Sequence, residues 1–347
     1  MPTNYIKNFN KDEFQKILDV FEVVAHEKKP LWAGTVYIGK QPIYIECHVK
    51  WMADKIDSFF TNTLPGEHIQ NAIKLYVLKS TFPVDMPVPK QFEPDVYFTN
   101  DDILRVPDMI VHKHCILLNT NDTFYMNVDH DDLNNFYHLG ENHLLMRLFY
   151  YMLQNTPTTV IHGAVVGYKN NGVLITGLSG AGKSTLSAFC LSKGLQFIGD
   201  DRVALHKENT STIANPVYST ISVNTDIPNI KAINIIHPKY SSKDIIILDK
   251  SQLSQNIKIK AVIEPIKTNC EHPIIIPTRK NPIITRICKD YSHLSILSRS
   301  TQLIADYKRI FGLLCNIDFY KMQLSDSIDD NVTEIINFIK QQRVENV

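Results

Sequence analysis

The stretch Gly177-Leu178-Ser179-Gly180-Ala181-Gly182-Lys183-Ser184 constrains this chain more than any other. It spells G-x-x-x-x-G-K-S, a pattern that works only when a strand runs into it and a helix leaves it. The glycines let successive backbone N–H groups turn inward around a row of phosphates, and the first helical turn adds unpaired donors and its positive end. Lys183 supplies a mobile charge for the β- and γ-phosphates, the Ser184 hydroxyl is placed to meet Mg²⁺, and Thr185 can reach the α-phosphate. The flanks fit. Residues 173–176 read as a short buried strand, and Lys183–Ser192 reads as a helix stopped by Gly194. The candidate nucleotide-binding residues are therefore Gly177, Ser179, Gly180, Ala181, Gly182, Lys183, Ser184 and Thr185.

A phosphate cradle by itself says only that a nucleotide is bound. Neither an LSGGQ segment of the ABC type nor an NKxD base-recognition segment of the GTPase type is present. Beyond the cradle come one short helix, one short strand over residues 195–198, and the pair Asp200-Asp201. A strand beside the cradle strand would bring both carboxylates to the phosphate end of the sheet. One of them can hold Mg²⁺ and the other can take a proton from an attacking hydroxyl. Without the loop upstream, the pair would read as a solvated turn.

The rest of the chain sets limits on partners. At 347 residues it predicts two domains, and 44% hydrophobic with 21% charged residues is ordinary globular usage. Lys plus Arg equals Asp plus Glu at 36 each, so no excess of positive charge draws the chain to nucleic acid or anionic lipid. The cysteines Cys47, Cys115, Cys190, Cys270, Cys288 and Cys315 form no CxxC pair and read as free, mostly buried thiols. The start of the chain shows no basic, apolar leader. The most apolar helical stretch, residues 144–153, is too short to span a bilayer and contains Arg147. A cytoplasmic location is expected.

Along the chain, residues 1–140 read as a smaller α+β N-terminal domain, with strand-like runs at 31–38, 43–49 and 115–118 and a Pro-bearing connection at 82–94. An amphipathic helix over residues 142–153 leads into a second domain, residues 141–347. There, residues 159–166 read as one β run, Lys169-Asn170-Asn171-Gly172 as a hairpin turn, and residues 331–342 as a closing helix. The Ile- and Val-rich stretch 204–324, broken by Pro and Asn, gives no resolved order of elements.

Ile161-His162-Gly163-Ala164-Val165, Gly172-Val173-Leu174-Ile175, the cradle, Gly194 and Asp200-Asp201-Arg202-Val203 together resemble the catalytic domain of HPr kinase/phosphorylase. They are also similar to HPr-kinase-like peptide kinases, including lasso-precursor peptide kinases, within the phosphoenolpyruvate carboxykinase-like group. The likeness is close over residues 160–205 and vaguer from 311 to 339. It implies an α/β P-loop kinase domain of the HPr kinase C-terminal type, an ATP-dependent serine kinase using Mg²⁺ or alternatively Mn²⁺, and a homo-oligomer, a hexamer in that family. Carried over residue by residue, it places Asp200 as the catalytic base, Asp201 with Ser184 at the metal, Lys183 at the phosphates, and His162 facing the transferred phosphoryl group. An Arg- and Gly-rich strand turn used for the family's phosphorylase reaction is not found here, so the resemblance leaves dephosphorylation, and HPr itself as substrate, open. The nearest basic turn is Pro277-Thr278-Arg279-Lys280-Asn281.

The expected acceptor is a serine hydroxyl of a peptide or small protein. A small-metabolite hydroxyl and a non-catalytic nucleotide-sensing module are the alternatives. His112 with His114 lacks a second ligand pair and reads as surface histidine rather than metal site. The acidic stretch 127–132 lacks the Gly and closing Glu of an EF-hand. The aromatics Phe136, Tyr137, Phe149, Tyr150 and Tyr151 read as core packing rather than a base-stacking surface.

Overall fold

The protein is described from a computed structural model covering residues 11–79, 96–98, 109–112, 115–120, 123–128, 148–150, 152–224, 226–237, 243–294 and 300–341. Two compact units emerge. The first is drawn from residues 1–36, 42–57 and 63–140, and the second from residues 37–41, 58–62 and 141–347.

The first unit's strands are β1 (Trp32–Ile38), β2 (Gln41–Cys47), β3 (Thr63–Pro65), β4 (Ile73–Leu78), β5 (Val96–Phe98), β6 (Met109–His112), β7 (Cys115–Thr120) and β8 (Thr123–Val128). They form one sheet in the order β3-β1-β2-β4-β8-β7-β6-β5, with β2, β4 and β8 parallel to one another. Helix α1 (Lys11–Glu27) buries Ile17, Leu18, Phe21 and Ala25, which recur on one helical face. The Tyr76 and Tyr125 rings stack at 5.2 Å on adjacent strands. Helix α2 (Lys50–Phe59) completes the elements read from this part of the chain. The Pro-bearing stretch 82–94, the tail of the acidic stretch and His114 lie outside the described residues.

The second unit begins with helical residues 148–150 and 152; the rest of the amphipathic helix expected over 142–153 is outside the described residues up to 147 and at 151. Phe149 and Tyr150 are buried there, as core packing requires, while Phe136, Tyr137 and Tyr151 are not described. Then come β9 (Thr159–His162), β10 (Ala164–Tyr168), β11 (Asn171–Ile175), α3 (Lys183–Ser192), β12 (Gln196–Gly199), β13 (Arg202–Glu208) and β14 (Ser211–Pro216). After these come β15 (Thr220–Val223), β16 (Ala232–Ile236), β17 (Asp244–Leu248), β18 (Ile257–Cys270), β19 (Ile274–Pro277), α4 (Lys280–Leu294), α5 (Ser300–Leu314), β20 (Asp318–Ser325) and α6 (Ile328–Gln341).

Three details differ from the sequence reading. The run 159–166 is two strands, not one. Gly163 breaks it: a Cβ there would sit 2.9 Å from the Ile175 carbonyl oxygen, so the chain passes too close to β11 for any side chain. The Asp-Asp strand β12 lies beside β10, not beside the cradle strand β11, because β10 and β11 form a tight hairpin that occupies that edge. Lys169 and Asn170 turn that hairpin with φ of 50° and 62°, both left-handed, as a two-residue turn compatible with strand twist requires. Finally, α4 and α5 fall in the stretch where no helix was read, and Lys280 opens α4 instead of belonging to a turn.

Strand order explains how the site assembles. The main path is β12-β10-β11-β18-β14-β13-β9, with β20 added beside β18 and β19 beside β20. In a flat sheet β12 and β13, five places apart, would lie about 24 Å from each other at ~4.8 Å per strand. Yet only Asp200 and Asp201 join them, a link that reaches at most ~10 Å. Gly163 alone likewise joins β9 to β10, also five places apart. The sheet must therefore roll until its two ends meet. The seam carries His162, Gly163, Asp200, Asp201 and Arg202, and the Gly163 N–H donates to the Asp201 carbonyl across it at 3.1 Å. Helices α3 and α6 close one face over a core that includes Val166, Ile175, Leu186, Cys190, Phe197, Ile263, Ile335 and Ile339. A small antiparallel sheet, β15-β17-β16, stands beside it.

Candidate active site

The cradle follows β11 directly and runs into α3. Gly180 and Gly182 have φ of 78° and 93°, the left-handed region that glycine enters without strain. These two residues turn the loop's backbone sharply, and Gly182 is the N-cap of α3 with no side-chain hydrogen bond to it. The donors of the first turn of α3 thus lack a side-chain cap, which suits an anion. Gly177 is buried, Leu178, Ser179 and Gly180 are exposed, and Ala181, Gly182, Ser184 and Thr185 are half-buried. Leu178 is 68% exposed, a cost that a purely structural turn would avoid by burying it.

Lys183 folds back over the loop and is only 7% exposed, with Nζ donating to the carbonyls of Gly177 at 2.9 Å and Leu178 at 3.0 Å. Burial lowers its pKa, with Lys243 acting in the same direction, while Asp200, Asp201 and Asp290 pull it upward. The cation is thus surrounded by the site's carboxylates and tied to carbonyls that a phosphate can replace.

The two aspartates of the seam differ in environment. Asp200 is 3% exposed; its Oδ2 accepts from the Ser222 N–H of β15 at 3.4 Å, and the Ser184 hydroxyl donates to it. Burial and then the charge of Asp201 push its pKa up, against the Ser184 and Ser222 hydrogen bonds and Lys243. Asp201 adopts φ 66°, uncommon for a non-glycine residue though tolerated by Asp. Its Oδ1 lies 3.1 Å from Arg202 Nη1 and 3.2 Å from His162 Nε2. Burial opposes its charge, but Arg202, His162 and Lys183 outweigh that and hold the carboxyl well below the usual range. One carboxyl is thus made more basic, and the other is kept anionic.

His162 ends β9 opposite Arg202 of β13, and Thr176 Oγ1 donates to its carbonyl at 3.3 Å. The fold therefore brings His162, Lys183, Ser184, Asp200 and Asp201 to one end of the rolled sheet. Arg279 falls between β19 and α4 and joins none of the contacts just described. The sequence reading missed Ser222, Lys243 and Asp290, which reach the site from the small sheet, the approach to β17 and α4. No sequence spacing ties them to the cradle, because three separate segments deliver them.

Ser184 with an acidic residue is a donor set suited to a hard divalent cation. The hydroxyl meets Asp200, while Asp201, on the same two-residue link, carries the permanent charge.

Residues 154–276 match the family described as the HPr Serine kinase C-terminal domain. The chain is similar to that family over about a third of its length. It is 34% identical over 83 residues to the HPr kinase/phosphorylase of Halalkalibacterium halodurans, a match spanning 24% of this chain and 27% of that relative. The Bacillus subtilis HPr kinase/phosphorylase is 35% identical over 80 residues, 23% of this chain and 26% of the relative. The chain thus spans only about a quarter of the length of the curated relatives it matches. The solved HPr(Ser) kinase/phosphatase of Coxiella burnetii aligns over 54% of this chain and 97% of that one at 16% identity and a TM-score of 0.32, too loose to bear on the site. The HPr kinase-like segment contains the cradle, His162 and both seam aspartates. Among the described residues no helix is long and apolar enough to cross a membrane.

Proposed function

We propose that this chain is an ATP-dependent phosphotransferase that moves the γ-phosphoryl group to a hydroxyl, a serine of a peptide or small protein. The observation that carries the reading is the convergence, at one seam, of an α3 N-terminus without a side-chain cap, Lys183 and two carboxylates of opposite electrostatic character. Bound Mg·ATP would supply the phosphoryl group and a metal to neutralise its charge. The loop amides and α3 would hold the phosphates, with Lys183 leaving its two carbonyls for them. Asp200, made more basic by burial and by Asp201, would take the proton of the acceptor hydroxyl. Asp201 would hold the metal as a permanent anion together with Ser184, and His162 would face the transferred group. The first unit is the proposed place of acceptor recognition, and the description of the matching family, HPr Serine kinase C-terminal domain, supports a protein serine as the acceptor class.

The Ser184–Asp200 contact favours a second assignment within the same function, with Asp200 rather than Asp201 sharing the ion with Ser184. Substitution separates the two. Asp200→Asn, assayed with γ-labelled ATP against serine peptides, small proteins and water, is expected to bind ATP in calorimetry as the wild type does and to lose transfer by ~10²–10⁴-fold. Undiminished transfer would remove Asp200 from the chemistry, and a higher Mg²⁺ requirement in this variant would make it the metal ligand. Label reaching only small-molecule hydroxyls would replace the peptide acceptor with a metabolite.

A further inference from the structure

Helix α4 approaches the seam with two charged residues one turn apart. Arg286 forms an ion pair with Glu264, in the middle of β18, whose Cγ would lie 3.8 Å from a Cβ on Gly177. Four residues on, Asp290 places Oδ2 3.8 Å from His162 Nδ1, on the opposite edge of the ring from the Asp201 contact. The helix is fixed where it does this. Ile283, Ile284, Ile287 and Tyr291 are buried, α4 packs against β9, and the Tyr291 ring meets the fully buried Tyr150 edge-on at 4.6 Å.

We propose that Asp290 is a positioning residue of the site, holding the Nδ1 edge of His162 so that Nε2 stays turned toward Asp201 and the phosphoryl position. The inference rests on the phosphotransferase reading above. Its physical basis is that, among the described residues, the ring's other side-chain hold is Asp201, the carboxylate also expected to turn toward a cation. A ring held at one nitrogen by a group with a second task can swing about its Cβ–Cγ bond. A carboxylate at the far nitrogen stops that motion and decides which nitrogen faces the reaction. The 3.8 Å separation is an ion-pair distance rather than a hydrogen bond, and with the Asp290 side chain 34% exposed a small rotation closes it.

The experiment uses the full chain with Asp290→Ala and Asp290→Asn, the second keeping an acceptor oxygen. It measures kcat and KM for ATP turnover, ATP affinity by calorimetry, and the ¹⁵N signals of the His162 ring, assigned by their loss in His162→Gln. Asp290→Ala is expected to lower kcat by roughly 10–100-fold, the range seen when a group supporting a site ligand is removed, with ATP affinity retained and the Nδ1 signal moved. Asp290→Asn is expected to recover most of both. Unchanged kcat and ring signals overturn the proposal, as does a loss of ATP affinity as large as the loss of kcat. A wild-type chain that neither binds nor turns over ATP defeats the phosphotransferase reading instead. The ring signals then still decide Asp290: moved by the alanine, it holds His162; unmoved, it does not.

Discussion

Lys183 is buried against two loop carbonyls, and its role is tested by what happens when the charge is removed. Lys183→Ala is expected to weaken ATP binding by more than about tenfold and to abolish turnover, since the loop amides alone carry no mobile charge to the γ-phosphate. Calorimetry and an ATPase assay check it, and wild-type affinity would remove the cradle from nucleotide binding. The metal assignment has its own test. Ser184→Ala and Asp201→Asn are each expected to raise the Mg²⁺ concentration that gives half-maximal activity, and an unchanged requirement in both would place the ion elsewhere. The residue types in the cradle made Lys183 and Ser184 legible in the sequence. The resemblance assigned Asp200 and Asp201 different roles, but the electrostatic cause of their difference was not legible, because besides the adjacent Arg202 it comes from His162 and Ser222, which only the fold brings to the pair.

Among the secondary-structure elements, the seam depends on two links with almost no length. Gly163 joins β9 to β10, and a methyl group there would press on the Ile175 carbonyl at 2.9 Å. Gly163→Ala is expected to destabilise the protein by about 1–3 kcal/mol, the usual cost of forcing atoms into a packed site, and to depress activity because His162 is its neighbour. Gly180→Ala serves as the contrast. Nothing lies within 4 Å of a Cβ there, so its effect is confined to the left-handed backbone, about 1–2 kcal/mol. Urea denaturation of both variants, read with ATP affinity, separates them: a Gly163→Ala chain with wild-type stability would show that the β9–β11 approach has slack. The hairpin, α3 and its Gly194 stop were legible because turn and cap chemistry are local. The break at Gly163 was not, since nothing in Ile161-His162-Gly163-Ala164-Val165 reveals which strand the glycine must pass.

The stability of the chain as a whole acquires a pH dependence from His206, a buried histidine of β13. Burial lowers its pKa, Lys40 adds to this, and Glu208 and Asn215 oppose it. A histidine whose folded pKa lies below its unfolded value of about 6.5 binds fewer protons in the native state, so its contribution is complete above that pH and is lost as pH falls through it. Stability measured by chemical denaturation is therefore expected to drop between about pH 7.5 and 5.5, and His206→Gln to flatten that slope. An equal slope in the variant would assign the dependence to other groups. Asp201 works in a separate window, since its depressed pKa gives stability that is lost only below about pH 4. The phosphate cradle, the helix it opens, the candidate acidic pair and the lack of a charge excess could all be read along the chain, because each follows from local backbone chemistry or simple counting. Folding in three dimensions was needed to put β12 beside β10, to roll the sheet until Asp200 and Asp201 bridge its ends, and to turn Ser222, Lys243 and Asp290 toward them. Those outcomes depend on which strands pair across long separations, and pairing is set by packing between distant segments rather than by any one of them.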